Sequence, residues 1–523
     1  MRILLLFISV LTTNYVFAQT PSDKVIVAWG EQQKASKRST VNNIVGFDSD
    51  GGVYVQKVEY KKMGLVRIVT IEHFDENMNF INSGVTGDAG VVVDFNDKLY
   101  VFSSISDKKA DKNTFYSQSV DKESLLLNAD KQELAQIDFE GFRNRNDGSF
   151  GYEFSGDSTK LLVYYNLPYD KRGVEKVGVH VYDQEMDQLW RKTITIPYTD
   201  ELFTVEDFEV DNEGNVYVTG VEYNEKLKVK RKGKPNFKYH VLSYTNQGKE
   251  ENDLPIEVDG KFLTDMKVRP NNDGQLLCGG FYSGQGTYSV EGSFFLKVNA
   301  SNGDVETASF EDFGIDFITQ NLSSRLEKKA RKKDAKGKTP ELFQFDLDAM
   351  VMREDGGVVL VAEQYFVKVV TTTTTGANGA VSTTTNYHYY YNDLIVISVS
   401  PEGEIEWNTK IPKFQHTVND GGYVSSYAMA VVDDKLHFIF NDNPKNLNLE
   451  SGQRVRNFGA GKETLVVLVT VDSNGHLEKE PLFSIRDTDV VTVPKVCKQI
   501  GDRELVIFGK RKKTQRLGVV NFK

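Results

Sequence analysis

Short runs of alternating apolar and polar residues follow one another along most of the chain, and turns rich in Asp, Asn and Gly separate them. Alternation with a period of two indicates strands, and Asp, Asn and Gly favour the tight turns between them. A run of β-branched and aromatic residues directly after such a turn occurs eight times, at residues 53–55, 99–101, 161–163, 216–218, 276–278, 358–360, 436–438 and 505–507. The pattern therefore predicts an all-β chain built from eight similar units.

Each unit has room for four strands, because a third run, a second turn and a fourth run follow, as at residues 400–403 and 405–407. Neighbouring units start between 46 residues (53 to 99) and 82 residues (276 to 358) apart. A four-stranded antiparallel sheet of that length cannot bury both faces alone, and its repetition is typical of a β-propeller. A β-sandwich is the alternative, but one sandwich would not contain so many strands.

The last unit has three runs, at residues 493–500, 505–508 and 517–522, whereas residues 24–29 form a strand-like run without a unit. We expect residues 24–29 to supply the missing fourth strand, because a closed ring has no exposed sheet edge of this kind. The predicted fold is an eight-bladed β-propeller closed by an N-terminal strand, with a short helical insertion and a protruding β-hairpin arm. It forms a single domain over residues 19–523.

One unit carries a named motif. Residues 214–220 read Gly-Asn-Val-Tyr-Val-Thr-Gly, which resembles the bacterial propeller repeat known by its Tyr-Val-Thr-Gly core. The other units keep the apolar pattern and lose these residue types. The resemblance implies a secreted β-propeller protein, but it implies no activity, because that fold hosts hydrolases, lyases, quinoproteins and interaction modules alike.

The connections within and between units differ greatly in length. In a meander, the second-to-third connections and the links between units lie at one end of the sheets, and the other two turns lie at the opposite end. The first set holds nearly every insertion: residues 106–114, 167–176, 224–237, 313–343, 366–391, 441–462 and 509–516. We therefore expect the long connections to share one side of the ring, where binding is commonly placed on a rigid scaffold.

Three of these connections are strongly basic, and the middle one is predicted to be helical over residues 321–335, with Leu322, Leu326 and Ala330 on one face. They point to an anionic partner, such as a polyanionic glycan, lipid headgroups or an acidic protein. The alternative is that they are solvated loops without a partner. The basic residues chosen as binding candidates are Lys230, Arg231, Lys232, Lys329, Arg331, Lys332, Lys512 and Lys513.

Residues 366–391 predict a long hairpin arm. Asn378 and Gly379 suit a two-residue turn, which would pair residues whose numbers sum to 757. Thr374 would then face Thr383, and the further pairs would be Thr373 with Thr384, Thr372 with Thr385, Val370 with Tyr387, Lys368 with Tyr389, and Phe366 with Tyr391. Four tyrosines near its root, Tyr387, Tyr389, Tyr390 and Tyr391, are candidates for stacking on sugar rings or peptide; the alternative is packing of the arm against its neighbours.

The N-terminus predicts export. An apolar run over residues 3–11 ends in Val16, Phe17 and Ala18 before Gln19, so residues 1–18 have the form of a secretory signal. We expect a periplasmic or secreted protein without a membrane-spanning segment. The formal charge of −11 argues against nucleic acid as a partner. Cys278 and Cys497 lie in strand-like runs, where buried thiols are commoner than a disulfide, although one bridge is possible in an oxidising compartment.

Motifs of catalysis are missing from the sequence: it has no His-Glu-x-x-His, no paired Cys and no Gly-x-Ser-x-Gly. Trp190 and Trp407 resemble the tryptophans of quinone-cofactor dehydrogenases, but that family repeats the tryptophan around the ring and adds adjacent cysteines. Residues 459–462 lack the first Gly and the Ser or Thr of a phosphate loop. No catalytic residue, metal site or cofactor is predicted.

The sequence leaves two functions open. The first is an exported binding or scaffold module that contacts an anionic, glycan or protein partner through the long connections. The second is a hydrolase or lyase that acts on a polyanionic glycan at the centre of the ring. Whether the chain is an enzyme is undecided, and a binding role is favoured. Carboxylates, His or Tyr converging from several units would favour the enzyme, and a broad basic rim would favour the binding module.

Overall fold

The computed structural model describes residues 22–36, 38–61, 66–87, 90–138, 148–167, 173–226, 229–231, 233–258, 260–338, 340–375, 380–450, 453–459, 461 and 463–523. The predicted signal over residues 1–18 lies outside this part of the chain. The described residues are mostly strands with a few short helices, so the all-β prediction is confirmed.

Two short strands come first, β1 (Val25–Trp29) and β2 (Gln33–Lys34), and four-stranded antiparallel sheets then follow in chain order. Sheet 1 contains β3 (Ser39–Phe47), β4 (Val53–Lys61), β5 (Val66–Phe74) and β6 (Phe80–Gly87). Sheet 2 contains β7 (Val91–Phe95), β8 (Lys98–Asp107), β9 (Lys112–Val120) and β10 (Gln132–Asp138). Sheet 3 contains β11 (Phe150–Phe154), β12 (Lys160–Asn166), β13 (Val174–Asp183) and β14 (Gln188–Thr199).

The next two sheets carry small hairpins in their connections. Sheet 4 contains β15 (Phe203–Val210), β16 (Val216–Tyr223), β19 (Phe237–Thr245) and β20 (Glu250–Ile256), with β17 (Lys230–Arg231) and β18 (Lys234–Pro235) paired between its second and third members. Sheet 5 contains β21 (Phe262–Pro270), β22 (Gln275–Ser283), β24 (Gly292–Asn299) and β25 (Val305–Asp312). Its connection strand β23 (Ser289–Val290) pairs with β26 (Leu342–Phe343).

Sheet 6 contains the longest strands: β27 (Phe345–Met352), β28 (Val358–Thr375), β29 (Val381–Val399) and β30 (Ile405–Ile411), with β31 (Gln415–Val418) on the outer part of β29. Sheet 7 contains β32 (Ala428–Val432), β33 (Lys435–Asp442), β34 (Leu465–Val471) and β35 (Leu477–Ser484). In sheet 8, β36 (Val491–Thr492) and β37 (Lys498–Gln499) pair with the same edge of β38 (Glu504–Arg511) and together form the first strand of the sheet, and β39 (Thr514–Phe522) pairs with the other edge. All eight runs predicted from the turn pattern are second strands of these sheets.

Sheet 8 takes its outermost strand from the other end of the chain. Strand β1 pairs antiparallel with β39, from Val25 opposite Phe522 to Trp29 opposite Gly518. Strand β2 extends the contact, with Gln33 opposite Gln515. The predicted pairing of residues 24–29 with the last strand is therefore present.

The second strand of every sheet sends neighbouring side chains in opposite directions, as the period of a strand requires. In sheet 8, Ile507 joins an apolar cluster with sheet 7, and Phe508 joins a cluster with sheet 1. The residues that share a cluster across each interface are Tyr54 with Val101, Phe102 with Leu161, Leu162 with Val218, Tyr217 with Leu276, Leu277 with Leu360, Val361 with Phe438, Ile439 with Ile507, and Phe508 with Val55. Each sheet is thus covered on both faces.

Asp and Asn side chains stabilise the short turns in the way the sequence predicts. At residues 211–215, the Asp211 carboxylate accepts hydrogen bonds from the backbone N–H groups of Glu213 (3.0 Å) and Asn215 (2.8 Å). Gly214 takes φ of +85° there, which a side chain would make costly. These turns keep one end of each sheet compact.

Helices occur in the long connections and at the ends of sheets 7 and 8. They are α1 (Ile315–Thr319), α2 (Ser324–Asp334) and α3 (Ile485–Thr488), with 3-10 turns at Pro444–Asn446 and Pro494–Val496. The helix predicted over residues 321–335 is α2, but its apolar face is not packed, since Leu326 is 51% exposed. Arg331 instead ties α2 to α1 through Asp316 (2.8 Å). No helix in the described ranges is long and apolar enough to span a membrane.

The arm is present, but its predicted register is wrong by one residue. Thr373 faces Thr383 and Thr375 faces Val381, so paired residue numbers sum to 756 rather than 757. An odd number of residues, 376–380, separates the last pair, and a two-residue turn needs an even number. The predicted turn at Asn378 and Gly379 itself lies outside the described residues. The shift replaces the predicted tyrosine partners, since Phe366 faces Tyr390, Lys368 faces His388 and Val370 faces Asn386.

Cys278 and Cys497 are free thiols that lie in different apolar clusters. Cys278 is fully buried, and burial raises the pKa of its thiol to about 12. Cys278 thus fits the interpretation as a buried small hydrophobe in a strand, whereas Cys497 is only partly buried and follows the turn at Pro494–Val496.

The cluster between sheets 7 and 8 predicts unequal effects for two neighbouring residues of β1. Val25 is 3% exposed and packs in that cluster, whereas Ile26 is 44% exposed. We expect Val25→Ala to lower the free energy of unfolding by about 1.5–3 kcal/mol. Ile26→Ala is the matched control and should change it by less than about 0.5 kcal/mol. Urea unfolding monitored by tryptophan fluorescence measures both, and a loss below about 0.5 kcal/mol for Val25→Ala would contradict the packing of Val25 in the core.

Candidate functional site

The long connections of sheets 4, 5 and 6 contact one another in chain order. Lys230, between β16 and β19, donates a hydrogen bond to the backbone oxygen of Gln285 (2.8 Å), between β22 and β24. Strand β23 of that second connection pairs with β26, which precedes sheet 6. Phe343 of β26 then packs edge-on against Phe366 of the arm, with ring centroids 5.6 Å apart. We call the surface formed by these connections the long-connection side.

The same series of contacts continues into sheet 7. Phe366 stacks on Tyr390 (4.6 Å), and Tyr390 stacks on His416 (4.5 Å) of strand β31. The backbone N–H of His416 donates to the side chain of Asn457 (2.9 Å), which lies in the connection between β33 and β34. Four consecutive sheets therefore have their long connections joined on one side.

The predicted basic residues lie on three separate connections, between β16 and β19, between β25 and β26, and between β38 and β39. Lys230 is exposed in β17, and Arg231 follows it in the same strand. Lys329 and Lys332 are exposed on α2, and Lys512 and Lys513 are exposed in the turn between β38 and β39. Lys232 lies outside the described residues.

Arg331 differs from the other basic candidates because its guanidinium is already paired. It bonds Asp316 (2.8 Å) and, one helical turn away, Glu327 (3.0 Å). These bonds hold α2 against α1, and they leave Arg331 less available to an external anion. Its position favours a structural role over the predicted binding role.

The four candidate tyrosines separate into two pairs. Both ring faces of Tyr390 are covered, by Phe366 and His416, and Tyr391 is 7% exposed with the Lys495 ammonium 4.1 Å from its ring centroid. Tyr387 and Tyr389 lie further along the arm from sheet 6, and Tyr387 is 46% exposed. These contacts favour the alternative, packing of the arm against its neighbours, at Tyr390 and Tyr391. Tyr390 and Tyr391 are consecutive and lie on opposite faces of β29, so each is covered by different neighbours.

A buried ion pair fixes the root of the arm. Lys413 is completely buried, and its ammonium bonds the Glu363 carboxylate (2.5 Å) and the backbone oxygen of Tyr391 (3.0 Å). The second Glu363 oxygen accepts from Ser426 (2.7 Å), and Gln415 accepts from Lys413 (3.3 Å). Such a pair stabilises one geometry only when its hydrogen bonds are satisfied, as they are here. The root of the arm is thus tied to the residues that precede β31 and β32.

Sequence reasoning missed a group of carboxylates on the first strands of the sheets. These strands have only one sheet neighbour, and they carry Glu153 in β11, Glu206 and Asp207 in β15, Asp265 in β21, and Asp346 and Asp348 in β27. Strands β15, β21 and β27 each contain a bulge at the corresponding place, after Val205, Leu263 and Leu347. A bulge changes the direction of the side chains beside it. Acidic residues at one recurring position of the first strand are the signal that could have revealed this group.

The carboxylates influence one another electrostatically. Burial, followed by the charges of Asp265 and Glu363, raises the pKa of Asp346 to about 6. Burial and the charge of Glu363 raise the pKa of Asp348 to about 7, although the hydroxyl of Tyr427 donates a hydrogen bond to it (3.0 Å). Asp265 also has a raised pKa through burial, and it accepts from the backbone N–H of Leu347 (2.5 Å). Carboxyl groups that keep a proton near neutral pH can act as general acids.

Metal binding finds no support in this arrangement. Across the described ranges, no three or more His, Cys, Asp or Glu side chains are grouped so that they could hold a metal ion.

The chain matches no protein-family model and no curated protein sequence.

Two solved structures illustrate the level of structural similarity. The WD40 domain of SCAP from fission yeast is 9% identical with a TM-score of 0.36, and the match covers 94% of this chain and 98% of that one. The β-propeller domain of the Trilobed protease from Pyrococcus furiosus, described as having an open velcro topology, is 10% identical with a TM-score of 0.36 over 86% of this chain and 96% of that one. Likenesses this distant establish neither a shared activity nor a shared partner.

The raised pKa of Asp348 predicts a pH-dependent gain in stability for Asp348→Asn. Between about pH 4 and pH 7 the folded state keeps a proton on Asp348 that the unfolded state has released, so the stability of the native protein falls as pH rises across this window. Asparagine does not titrate, so the variant lacks the pH dependence of stability that Asp348 causes. We therefore expect the variant to gain more stability over the native protein at pH 8 than at pH 5.

Chemical unfolding midpoints at the two pH values measure this difference. Glu402→Gln, on an exposed short turn, is the control and should show no change between them. An equal effect of Asp348→Asn at pH 5 and pH 8 would contradict the proposed electrostatic coupling.

Proposed function

We propose that the chain is an exported eight-bladed β-propeller whose ring is closed by β1. Eight antiparallel sheets in chain order and eight shared apolar clusters support this fold, and the cluster of Phe508 and Val55 joins sheet 8 to sheet 1. The pairing of β1 with β39 ties the two ends of the chain together. The apolar run and small-residue cleavage pattern over residues 1–18 support export to a periplasm or the exterior.

The ring acts as a binding module, and its contact surface is the long-connection side. The contacts between successive connections carry this proposal, because they make one continuous surface out of loops from different sheets. Exposed lysines on α2 and in the turn between β38 and β39 give that surface positive charge in a chain whose formal net charge is −11. Its partner is an anionic polymer, either an acidic glycan or an acidic protein.

A second candidate function has an observation in its favour. In the proposed ring the first strands line the centre, so Asp265, Asp346 and Asp348 face a common space, and their raised pKa values suit a general acid. This favours a hydrolase or lyase. However, these carboxylates would repel the polyanionic glycan that such an enzyme was expected to cleave. The binding module therefore remains the better supported function.

Removal of three cations from one side of the ring tests the proposal. In the triple variant Lys328→Gln, Lys329→Gln and Lys332→Gln, α2 loses three exposed lysines. We expect its affinity for dextran sulfate, measured by biolayer interferometry at low salt, to fall roughly tenfold, which is about 1.4 kcal/mol. Increasing salt should weaken binding of the native protein, because these charges are exposed.

The matched control removes three lysines from the opposite, short-turn side. Lys98, Lys249 and Lys435 are exposed beside turns of sheets 2, 4 and 7, and replacing each with Gln changes the net charge equally. This control should bind dextran sulfate as the native protein does. Equal losses in the two variants would show that net charge alone governs binding, and absence of any binding would refute an anionic partner. Release of reducing ends from the polymer would favour the enzyme.

A further inference from the structure

A concave pocket lies on the long-connection side, next to the root of the arm. Its volume is about 560 Å³, within the range of sites for small ligands. Phe414, just before β31, forms one wall, and the connection between β33 and β34 forms the others. Since the backbone of His416 bonds Asn457 of that connection (2.9 Å), the pocket is joined directly to the stacked rings of the arm.

The walls of the pocket carry three cations. Lys445, Arg454 and Arg456 all line it, and all three are exposed. None of them forms an ion pair with a carboxylate among the residues that the structure describes. The guanidinium of Arg454 lies 5.8 Å from the ring centroid of Phe414, an arrangement that orients it without neutralising its charge. The nearest acid along this connection, Glu450, accepts a hydrogen bond from Gln453 (3.0 Å).

Three asparagine side chains hold the backbone of the pocket in place. Asn446, 2% exposed, accepts from the N–H of Arg456 (2.9 Å) and donates to its carbonyl oxygen (2.8 Å). Asn443 caps the short helical turn at Pro444–Asn446 and donates to the carbonyl oxygen of Asn457 (2.8 Å). Asn457 donates to the carbonyl oxygen of His416 (3.2 Å). The cations are thus presented from a fixed backbone, which lowers the entropy lost when a ligand binds.

We propose that this pocket binds a sulfated sugar residue of an acidic polysaccharide. Two arginines and a lysine, none of them paired with a carboxylate in the described part of the chain, match the several oxygens of one sulfate group, since guanidinium groups bond oxyanions in a bidentate manner. The concave shape admits a projecting group and excludes a flat lipid surface. A polymer with repeated sulfates could fill the pocket and contact the lysines of α2 at the same time. The two contacts on one polymer chain would then raise its overall affinity.

This inference rests on the proposed function, and it specifies where on the long-connection side one sugar unit is held. A monosaccharide separates the two claims, because its single sulfate tests the pocket without the multivalent contacts of a polymer. Glucose 6-sulfate is therefore the probe, with unsulfated glucose as its neutral counterpart. Binding is followed by saturation-transfer NMR and by isothermal titration calorimetry.

We expect the double variant Arg454→Gln and Arg456→Gln to weaken glucose 6-sulfate binding at least tenfold. Lys98→Gln with Lys249→Gln removes the same charge from the short-turn side and should leave binding unchanged. The variant Arg454→Lys and Arg456→Lys keeps the charge but loses bidentate geometry, so an intermediate loss is expected. Glucose should not bind, and unchanged unfolding midpoints would show that each variant is folded.

The results that would overturn the inference are specific. Glucose 6-sulfate binding that survives the loss of both arginines, or that falls equally in the short-turn control, would exclude the pocket. If dextran sulfate binding falls in the α2 variant while the arginine variant binds normally, the long-connection side remains the contact surface and the pocket is wrong. If anionic lipid vesicles bind and lose affinity in the Arg454→Gln and Arg456→Gln variant, while glucose 6-sulfate does not bind, the ligand is a lipid headgroup instead. Failure of every anion to bind would remove both proposals.

Discussion

Every sheet of this chain has apolar side chains on both faces, and each face has to be covered by another sheet. The requirement follows from the second strands, whose neighbouring residues point in opposite directions, as Ile507 and Phe508 do. A linear row of such sheets would leave two faces in water, at a cost of roughly 25 cal/mol for each Å² of apolar surface. Packing of Phe508 with Val55 of sheet 1 avoids that cost. The pairing of β1 with β39 reinforces the same junction by joining the ends of the chain.

This constraint also determines where function can reside. The short turns, rigid through contacts such as those of Asp211, leave little freedom at one end of the sheets. The other end carries the arm and the connection at residues 443–459, which are joined through His416 and Asn457, and it carries α2, which Arg331 ties to α1. In the proposed ring, carboxylates occupy the centre and basic residues the surrounding connections, so the two charges are separated over a short distance. A polyanion would be attracted to the rim and kept out of the centre.

The sequence predicts the repeating part of the structure well, because alternation and turn chemistry are local. The eight second strands and the partner of residues 24–29 follow from those two signals. Local signals did not predict the register of the arm. That register depends on the length of the connection between β28 and β29, and the residue types of Asn378 and Gly379 do not determine that length. Through that register and the packing of Phe366 and His416, Tyr390 becomes a covered residue. The carboxylates of β15, β21 and β27 were missed because bulges, invisible to a strict alternation, redirect them.

Closure of the ring is tested most directly by distances between short turns. Ser49, Asp273 and Asp502 are exposed in the first turns of sheets 1, 5 and 8, and each accepts a spin-labelled cysteine in a Cys497→Ser background. Pulsed electron paramagnetic resonance then compares the 49–502 distance with the 49–273 distance. A closed ring of eight sheets predicts that 49–502 is the shorter, because sheets 1 and 8 are neighbours and sheet 5 lies opposite. A 49–502 distance longer than 49–273 would mean that the sheets form an open array, and it would contradict the account.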